Sequence, residues 1–195
     1  MSEERRCWSS ADPAYVAYHD DEWGRPVTDE RGLYERLCLE GFQSGLSWLT
    51  ILRRRPAFRA AFADFEPEAV ARFGPSDVDR LLGDAGIVRH RGKIEAAIAN
   101  ARATLALREA GTRLPELMWS HRPVDGRAPR TAADWHSMTP ESVALSKRLR
   151  AAGFRFVGPT TVYATMQACG VVNDHLVDCI VREEVEREIA CSTIA

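Results

Sequence analysis

Four side chains able to hold a metal ion sit in two pairs at opposite ends of this 195-residue chain: Cys7 with His19, and His175 with Cys179. His175 and Cys179 are four residues apart, so a helix through both would put them on one face. Cys7 and His19 lie too far apart for one helical turn and would have to be brought together by folding. Two thiolates and two imidazoles suit a closed tetrahedral structural zinc site. If they meet, a single ion ties both chain ends into one body. Spacing alone leaves the alternative open that these are unrelated core or surface residues.

A second candidate is Glu40, a lone carboxylate among Leu39, Phe42, Leu46 and Trp48. Lining a cleft, its oxygens would accept hydrogen bonds from a ligand; otherwise it is a helix-end surface group or a core hydrogen-bonding partner. Trp8 and Tyr18 are sequence neighbours of Cys7 and His19, and core packing competes with any binding role for each ring. In LRAAGFRFVGPTTVY, a helix closing at Gly153 and another opening at Pro159 bracket a short loop to Gly158. Such a corner can present backbone N–H groups to a phosphate, with Lys147, Arg148, Arg150 and Arg155 around it; a plain helical hairpin turn is the competing reading. DAGIVRHRGK, with Arg89, Arg91 and Lys93, reads as a second basic loop.

The elements that must position these residues read as helices almost throughout. Asp12-Pro13 caps PAYVAYHDDEW before Gly24, and Thr28 or Asp29 caps a helix carrying Leu33, Leu37 and Glu40 that ends near Gly41 or Gly45. SWLTILRRR is expected to stop before Pro56, with PAFRAAFADF as a separate helix. EAVARF, SDVDRLL and the long KIEAAIANARATLALREA, closed by Gly111, follow. Thr139-Pro140 opens PESVALSKRLRAA, and TTVYATMQAC and a helix through His175 and Cys179 complete the set. Residues 121–138 are aperiodic and predicted to be loop, and the tail after Cys179 is predicted to fray. The fold class is therefore all-α, with no alternating strand pattern of useful length.

Net charge is −2, with 45% hydrophobic and 28% charged residues, as in an ordinary globular protein. The balance hides a segregation: residues 1–40 carry a net −5, residues 41–160 a net +7, and residues 161–195 a net −4. The basic middle suits a polyanion, because Arg matches phosphate geometry, although solvated faces without a partner give the same pattern. No apolar run reaches membrane-spanning length, the N-terminus lacks a signal-peptide core, and five cysteines form an odd set without a disulfide framework. A reducing cytosol and no membrane partner are expected.

YHDDEWG, LCLEGFQSGLSW, DAGIVRHRGKIEAAIANARA and GFRFVGPTTVYATMQACGVVNDH, in this order between Cys7 and Cys179, resemble the DNA-3-methyladenine glycosylase I family of the helix-hairpin-helix superfamily. The resemblance implies zinc ligands at Cys7, His19, His175 and Cys179, a base-recognising carboxylate at Glu40, and stacking rings at Tyr18 and Trp48 with Trp8 and Trp23 beside them. It implies DNA-backbone contacts from the hairpin, at Gly153, Arg155, Gly158 and Lys147. It also implies two subdomains: residues 1–40 with 161–195 stapled by zinc, and a basic DNA-binding unit over 41–160. The implied activity is hydrolytic release of 3-methyladenine from double-stranded DNA by a cytoplasmic, nucleoid-associated monomer. The superfamily's catalytic aspartate slot falls on Asn173, or on Asp174 with a one-residue slip. Pro159-Thr160 stands where lyase relatives carry a lysine, so no lyase step is expected. Gly45-Leu46 is a candidate wedge into DNA, but core packing is the preferred fate of Leu46.

Overall fold

The computed structural model describes residues 5–124 and 127–193 and, among them, is helical without strands. Residues 125 and 126 of the expected 121–138 loop, and the terminal residues 1–4 and 194–195, lie outside the described residues. Ten α-helices follow in order: α1 Pro13–Asp21, α2 Glu30–Gln43, α3 Trp48–Ala61, α4 Pro67–Val70, α5 Pro75–Gly83, α6 Arg91–Glu109, α7 Leu114–Trp119, α8 Pro140–Ala151, α9 Pro159–Ala168 and α10 Arg182–Cys191. Short 3₁₀ turns stand at Ala63–Phe65 and Ala132–Asp134.

Capping chemistry sets most of the boundaries. Asp12 accepts from the Ala14 and Tyr15 amides at the head of α1, and Asp29 from the Gly32 amide at the head of α2. Ser47 caps α3, and Thr139 forms a reciprocal box with Ser142 at α8. Helix α8 closes at Gly153, with the Phe154 amide reaching back to the Leu149 carbonyl. The central element is α2, which packs against α9, α6, α3 and α7. Its Leu33, Tyr34, Leu37, Leu39 and Phe42 are all buried, so little of it is left for solvent.

Three expectations need correction. Helix α3 runs unbroken through Pro56. Ile51 and Leu52 before the proline and Phe58 and Ala61 after it are buried in the same core, and that packing outweighs an interior proline's cost of about 3 kcal/mol. The segment through His175 and Cys179 is not a helix. Its backbone donors go elsewhere: Val177 N–H to the Pro129 carbonyl, Ile180 N–H to the Arg5 carbonyl, and His175 N–H to Asn173 Oδ1. The tail does not fray before Cys191, because α10 buries Val185 and Ile189, and Arg25 grips Glu184 and Glu188 on it.

The two chain ends are joined where Gly170 meets the segment after α1. Gly170 has φ +73°, and a Cβ there would lie 2.6 Å from the Gly24 carbonyl oxygen and 2.9 Å from Arg25 and Pro26 backbone atoms. Beside it the Val27 amide donates to the Cys169 carbonyl at 3.0 Å. Gly170→Ala should destabilise the fold by about 2–5 kcal/mol through left-handed strain and backbone collision, read as a lowered thermal midpoint; a midpoint within 1–2 °C of the parent (about 0.5 kcal/mol) would refute this account.

Candidate active site and metal cluster

Helix α1 ends in the residues that the chain termini surround. Tyr18 and His19, successive on this helix, face different neighbours. His19 meets Cys7, His175 and Cys179, and the four ligand atoms lie within 4.8 Å of one another, all on buried residues. The edges of a tetrahedron with Zn–S and Zn–N bonds are about 3.3–3.8 Å, so a small contraction closes the cluster on an ion.

The orientation of the rings fits that use. His19 Nδ1 lies 2.7 Å from Asp20 Oδ1, and Asp20 is held by two nitrogens of Arg6. His175 Nδ1 lies 2.9 Å from Asn173 Oδ1, while its Nε2 is buried with no partner. Both rings thus turn Nε2 inward, each with an oxygen fixing the other nitrogen, the usual support of a ligating histidine. Burial pushes His175 down to about 3, so it is neutral, and hydrogen bonds from the Cys7 thiol and from His19 hold the Cys179 thiol well below its ordinary value. A neutral imidazole and a ready thiolate are the states a metal takes up. Gly24 leaves room for the ring: a Cβ there would sit 2.6 Å from His175 Cε1.

Tyr18 turns toward the second cluster. Its ring lies 5.2 Å from that of Trp48, at the start of α3, and 6.4 Å from that of Tyr15, nearly parallel. Glu40 is buried on α2; burial raises the Tyr18 and Tyr15 hydroxyls, and a charge on Glu40 would raise them further. No described residue hydrogen-bonds the Glu40 carboxyl, and burial pushes it up to about 8 against the pull of Arg36 one turn earlier. Burial therefore favours the protonated carboxyl at neutral pH. Arg36 itself is pinned by Glu22, which Arg55 also binds; the two guanidinium groups hold the Glu22 carboxyl down at about 2 against burial. Arg36 Nη1 and Trp48 Nε1 are buried donors without partners.

Trp8 bridges the two clusters, 4.7 Å from His19 edge-on and 5.3 Å from Tyr15. The ring partners of Trp23 are Trp8, His19, His175 and Trp135, on the metal side. The hairpin residues stand apart from both clusters in sequence, between α8 and α9. Lys147, Gly153 and Arg155 are exposed, and Gly158 caps α9. Asn100 of α6 clamps the hairpin through both the amide and the carbonyl of Arg155.

Two readings change here. Leu46 is not core: it is 43% exposed, thrown outward by a turn with Gly45 at φ +83°. Lys93 does not join the exposed Arg89 and Arg91 but is buried. Of the two residues weighed for the aspartate slot, Asn173 supports His175, and Asp174 accepts from Tyr163 (2.6 Å) and Gln167 (2.7 Å) on α9. A cleft of about 1210 Å³ beside Asp174, with Arg130, His136 and Arg182, contains none of the Glu40 pocket residues. Sequence reasoning passed over Tyr15, Glu22, Arg36, Asn100 and Trp135. Only the two last lacked a signal, since Tyr15 and Glu22 flank His19 and Arg36 precedes Glu40 by one turn.

Comparison with known proteins decides the family. The methyladenine glycosylase family profile matches residues 8–183. The chain belongs to the methyladenine glycosylase family. It is 51% identical over 179 residues to the DNA-3-methyladenine glycosylase 1 of Escherichia coli K12, covering 90% of this chain and 95% of that one. A crystal structure of 3-methyladenine DNA glycosylase I superposes with a TM-score of 0.87 at 48% identity, covering 90% of this chain and 98% of the other. A structure from Staphylococcus aureus, solved for its recognition of 3-methyladenine, gives a TM-score of 0.86 at 38% identity, covering 90% and 95%.

The buried Glu40 has a consequence for stability. Its folded value of about 8 exceeds the ordinary 4.5, so between these pH values the unfolded chain has lost a proton that the folded one keeps. Stability from this group is full below pH 4.5 and declines as pH rises through 8, at up to about 1.4 kcal/mol per pH unit. Glu40→Gln should raise the thermal midpoint at pH 8 and leave it nearly unchanged at pH 4.5; an equal shift at both would contradict the buried-acid assignment.

Proposed function

We propose that this glycosylase of alkylated DNA uses the Glu40 pocket to select 3-methyladenine and the two clusters around it to hold that pocket in shape. The carrying observation is the buried Glu40 carboxyl without a hydrogen bond from any described residue, together with two buried donors that lack partners, Arg36 Nη1 and Trp48 Nε1, and the paired rings of Tyr18 and Trp48. Unpaired buried polar groups cost free energy that a matching ligand recovers. The target base leaves the duplex stack to reach them, at a cost of a few kcal/mol that is smaller for damaged bases.

N3-alkylated adenine still attached to its sugar is a cation and a good leaving group. The C1′–N9 bond breaks with its electron pair moving into the purine, which departs as neutral 3-methyladenine. Water adds to C1′ and releases its proton. No strong acid is needed to protonate the base, which accords with Asn173 and Asp174 being committed to other partners. Tyr18 and Trp48 offer π-faces to the cation, worth about 0.5–2 kcal/mol where desolvated; Trp8 backs them through Tyr15, and Trp23, packed at the quartet, would act only through Trp8. Ionised Glu40 accepts from the exocyclic amine of adenine; guanine presents a carbonyl there, a mismatch of about 1–3 kcal/mol.

The remaining assignments follow the same reading. Lys147, Gly153, Arg155 and Gly158 hold the backbone of double-stranded DNA without reading sequence. The basic 41–160 unit would carry these contacts, and residues 1–40 with 161–195 form the stapled unit. The ion in the quartet is zinc with a structural role, because four protein ligands leave no position for water. The enzyme is monofunctional: Lys93 is buried and already bonded, and Lys147 stands exposed on α8. Among the described residues no helix is long and apolar enough to cross a membrane; with free cysteines, a cytoplasmic, nucleoid-associated monomer is the reading we adopt.

The deciding assay incubates the protein with methylated duplex DNA and identifies the bases released. 3-Methyladenine should appear, and kcat/KM should rise with pH to a plateau with its half-point near 8, the free-protein value of Glu40. Glu40→Gln should lose the pH limb and at least tenfold in free-base binding. Unchanged excision and binding in that variant would remove Glu40 from the site. For the quartet, about one zinc per chain is expected, and chelation should lower the unfolding midpoint by at least about 10 °C; folded, active protein with almost no zinc would overturn the assignment.

A further inference from the structure

Lys93 is one of only two lysines in the chain, and it is buried in the first turn of α6. A cation is disfavoured at that end of a helix, and no carboxylate of the described residues pairs with it. Nζ instead donates to two backbone carbonyls, Phe42 at 2.9 Å and Ser44 at 2.6 Å. These belong to the end of α2 and the turn beyond it, where carbonyls lack helical partners and the helix dipole is negative. An apolar side chain could fill the space but would leave those carbonyls unpaired.

The clamped turn is the short link between Glu40 and Trp48. The Leu46 amide closes on the Gln43 carbonyl at 2.6 Å, Gly45 takes φ +83°, and Leu46 is exposed at the tip. Ser47 then caps the helix that begins with Trp48. The hairpin reaches the same joint. A Cβ on Gly41 would lie 3.5 Å from Phe156 Cβ, and one on Gly92 would lie 3.8 Å from Phe156 Cζ. The Phe156 ring is 41% exposed and stands edge-on to His90 at 6.3 Å. The end of α2, the start of α6 and the hairpin tip thus meet at one joint, the Lys93 ammonium tying the first two and Phe156 packing against both.

We infer that Lys93 is a positioning residue for excision from duplex DNA: it holds the Ser44–Leu46 turn so that Leu46 faces the DNA while the base pocket behind stays intact. The inference rests on the proposed function. It separates a DNA-dependent step from base recognition, since Lys93 contacts the turn and none of Tyr18, Glu40 or Trp48.

The test compares parent, Lys93→Met, Lys93→Arg, Leu46→Ala and the Lys93→Met/Leu46→Ala double variant. Three quantities are read: single-turnover release of 3-methyladenine from methylated duplex, binding of free 3-methyladenine by tryptophan fluorescence, and the thermal midpoint. Lys93→Met should slow excision ten- to a hundredfold while base binding stays within threefold. Lys93→Arg should recover at least part of the rate, and the double variant should be no slower than its slower parent single. Excision by Lys93→Met within threefold of the parent, a parallel loss of base binding, or multiplying losses in the double variant would each overturn the inference. Lys93→Gln supplies the same comparison if the Met variant is unfolded at the assay temperature, and failure of both to fold would assign Lys93 a purely structural role. A parent protein that releases no 3-methyladenine refutes the functional reading instead.

Discussion

The fold is organised around keeping one carboxyl, Glu40, away from water with no hydrogen-bond partner. Burial of an acid is tolerated only where the surroundings are rigid enough that it cannot relax into solvent. Helix α2 meets that demand by lying between α9, α6, α3 and α7, with Leu37, Leu39 and Phe42 anchoring the turns on either side of Glu40. The walls are equally constrained. Tyr18 belongs to the last turns of α1 and Trp48 to the first of α3, so helix ends rather than loops set the shape of the pocket, which suits a site needing fixed geometry.

The metal cluster is the second support and touches the first through rings. Arg6 and Asp20 fix His19, while Asn173, held in turn by Glu186, fixes His175. From His19 the contacts run to Trp8, then Tyr15, then Tyr18. An ion binding these ligands would therefore order the segment before α1 and the segment after α9 at once, and the first of these reaches Tyr18 through Trp8 and Tyr15. The quartet lies far apart along the chain, so the loop it closes is long; closing such a loop is where a cross-link has most conformational entropy to remove.

Much of this was legible in the sequence because it depends on local chemistry. Proline and cap residues marked the starts of α1, α2, α8 and α9, while α7 over Leu114–Trp119 was not read; the two Cys/His pairs announced a cluster that the fold does assemble. What escaped depends on tertiary competition. Pro56 reads as a stop, yet flanking core residues hold α3 straight. The His175–Cys179 spacing reads as one helical face, but the segment's amides are claimed by Pro129, Arg5 and Asn173. Leu46 reads as core, and a turn closed on Gln43 exposes it. Lys93 reads as one more surface cation, and only the fold shows the carbonyls that bring it inside. The value for Glu40 could not be read either, because it depends on how the helices packed on α2 bury that face, which local sequence does not show.

These features suggest why selection, rather than chemical force, dominates the site. An alkylated purine cation is already prepared to leave, so a powerful acid would add little to its departure and would endanger normal bases. Discrimination has to come from binding. On the proposed reading, one acceptor and two donors left unpaired by the protein are poised so that a correct edge satisfies them and a reversed edge leaves them buried and unmatched. The penalty for the wrong edge is then paid by the protein's own groups. Raising Glu40 sharpens this further. On the proposed reading, a carboxyl that burial keeps protonated is a weaker acceptor, and a positive charge entering beside it would favour the ionised form that accepts best. On that reading normal adenine, uncharged, would meet the same atoms without that electrostatic help.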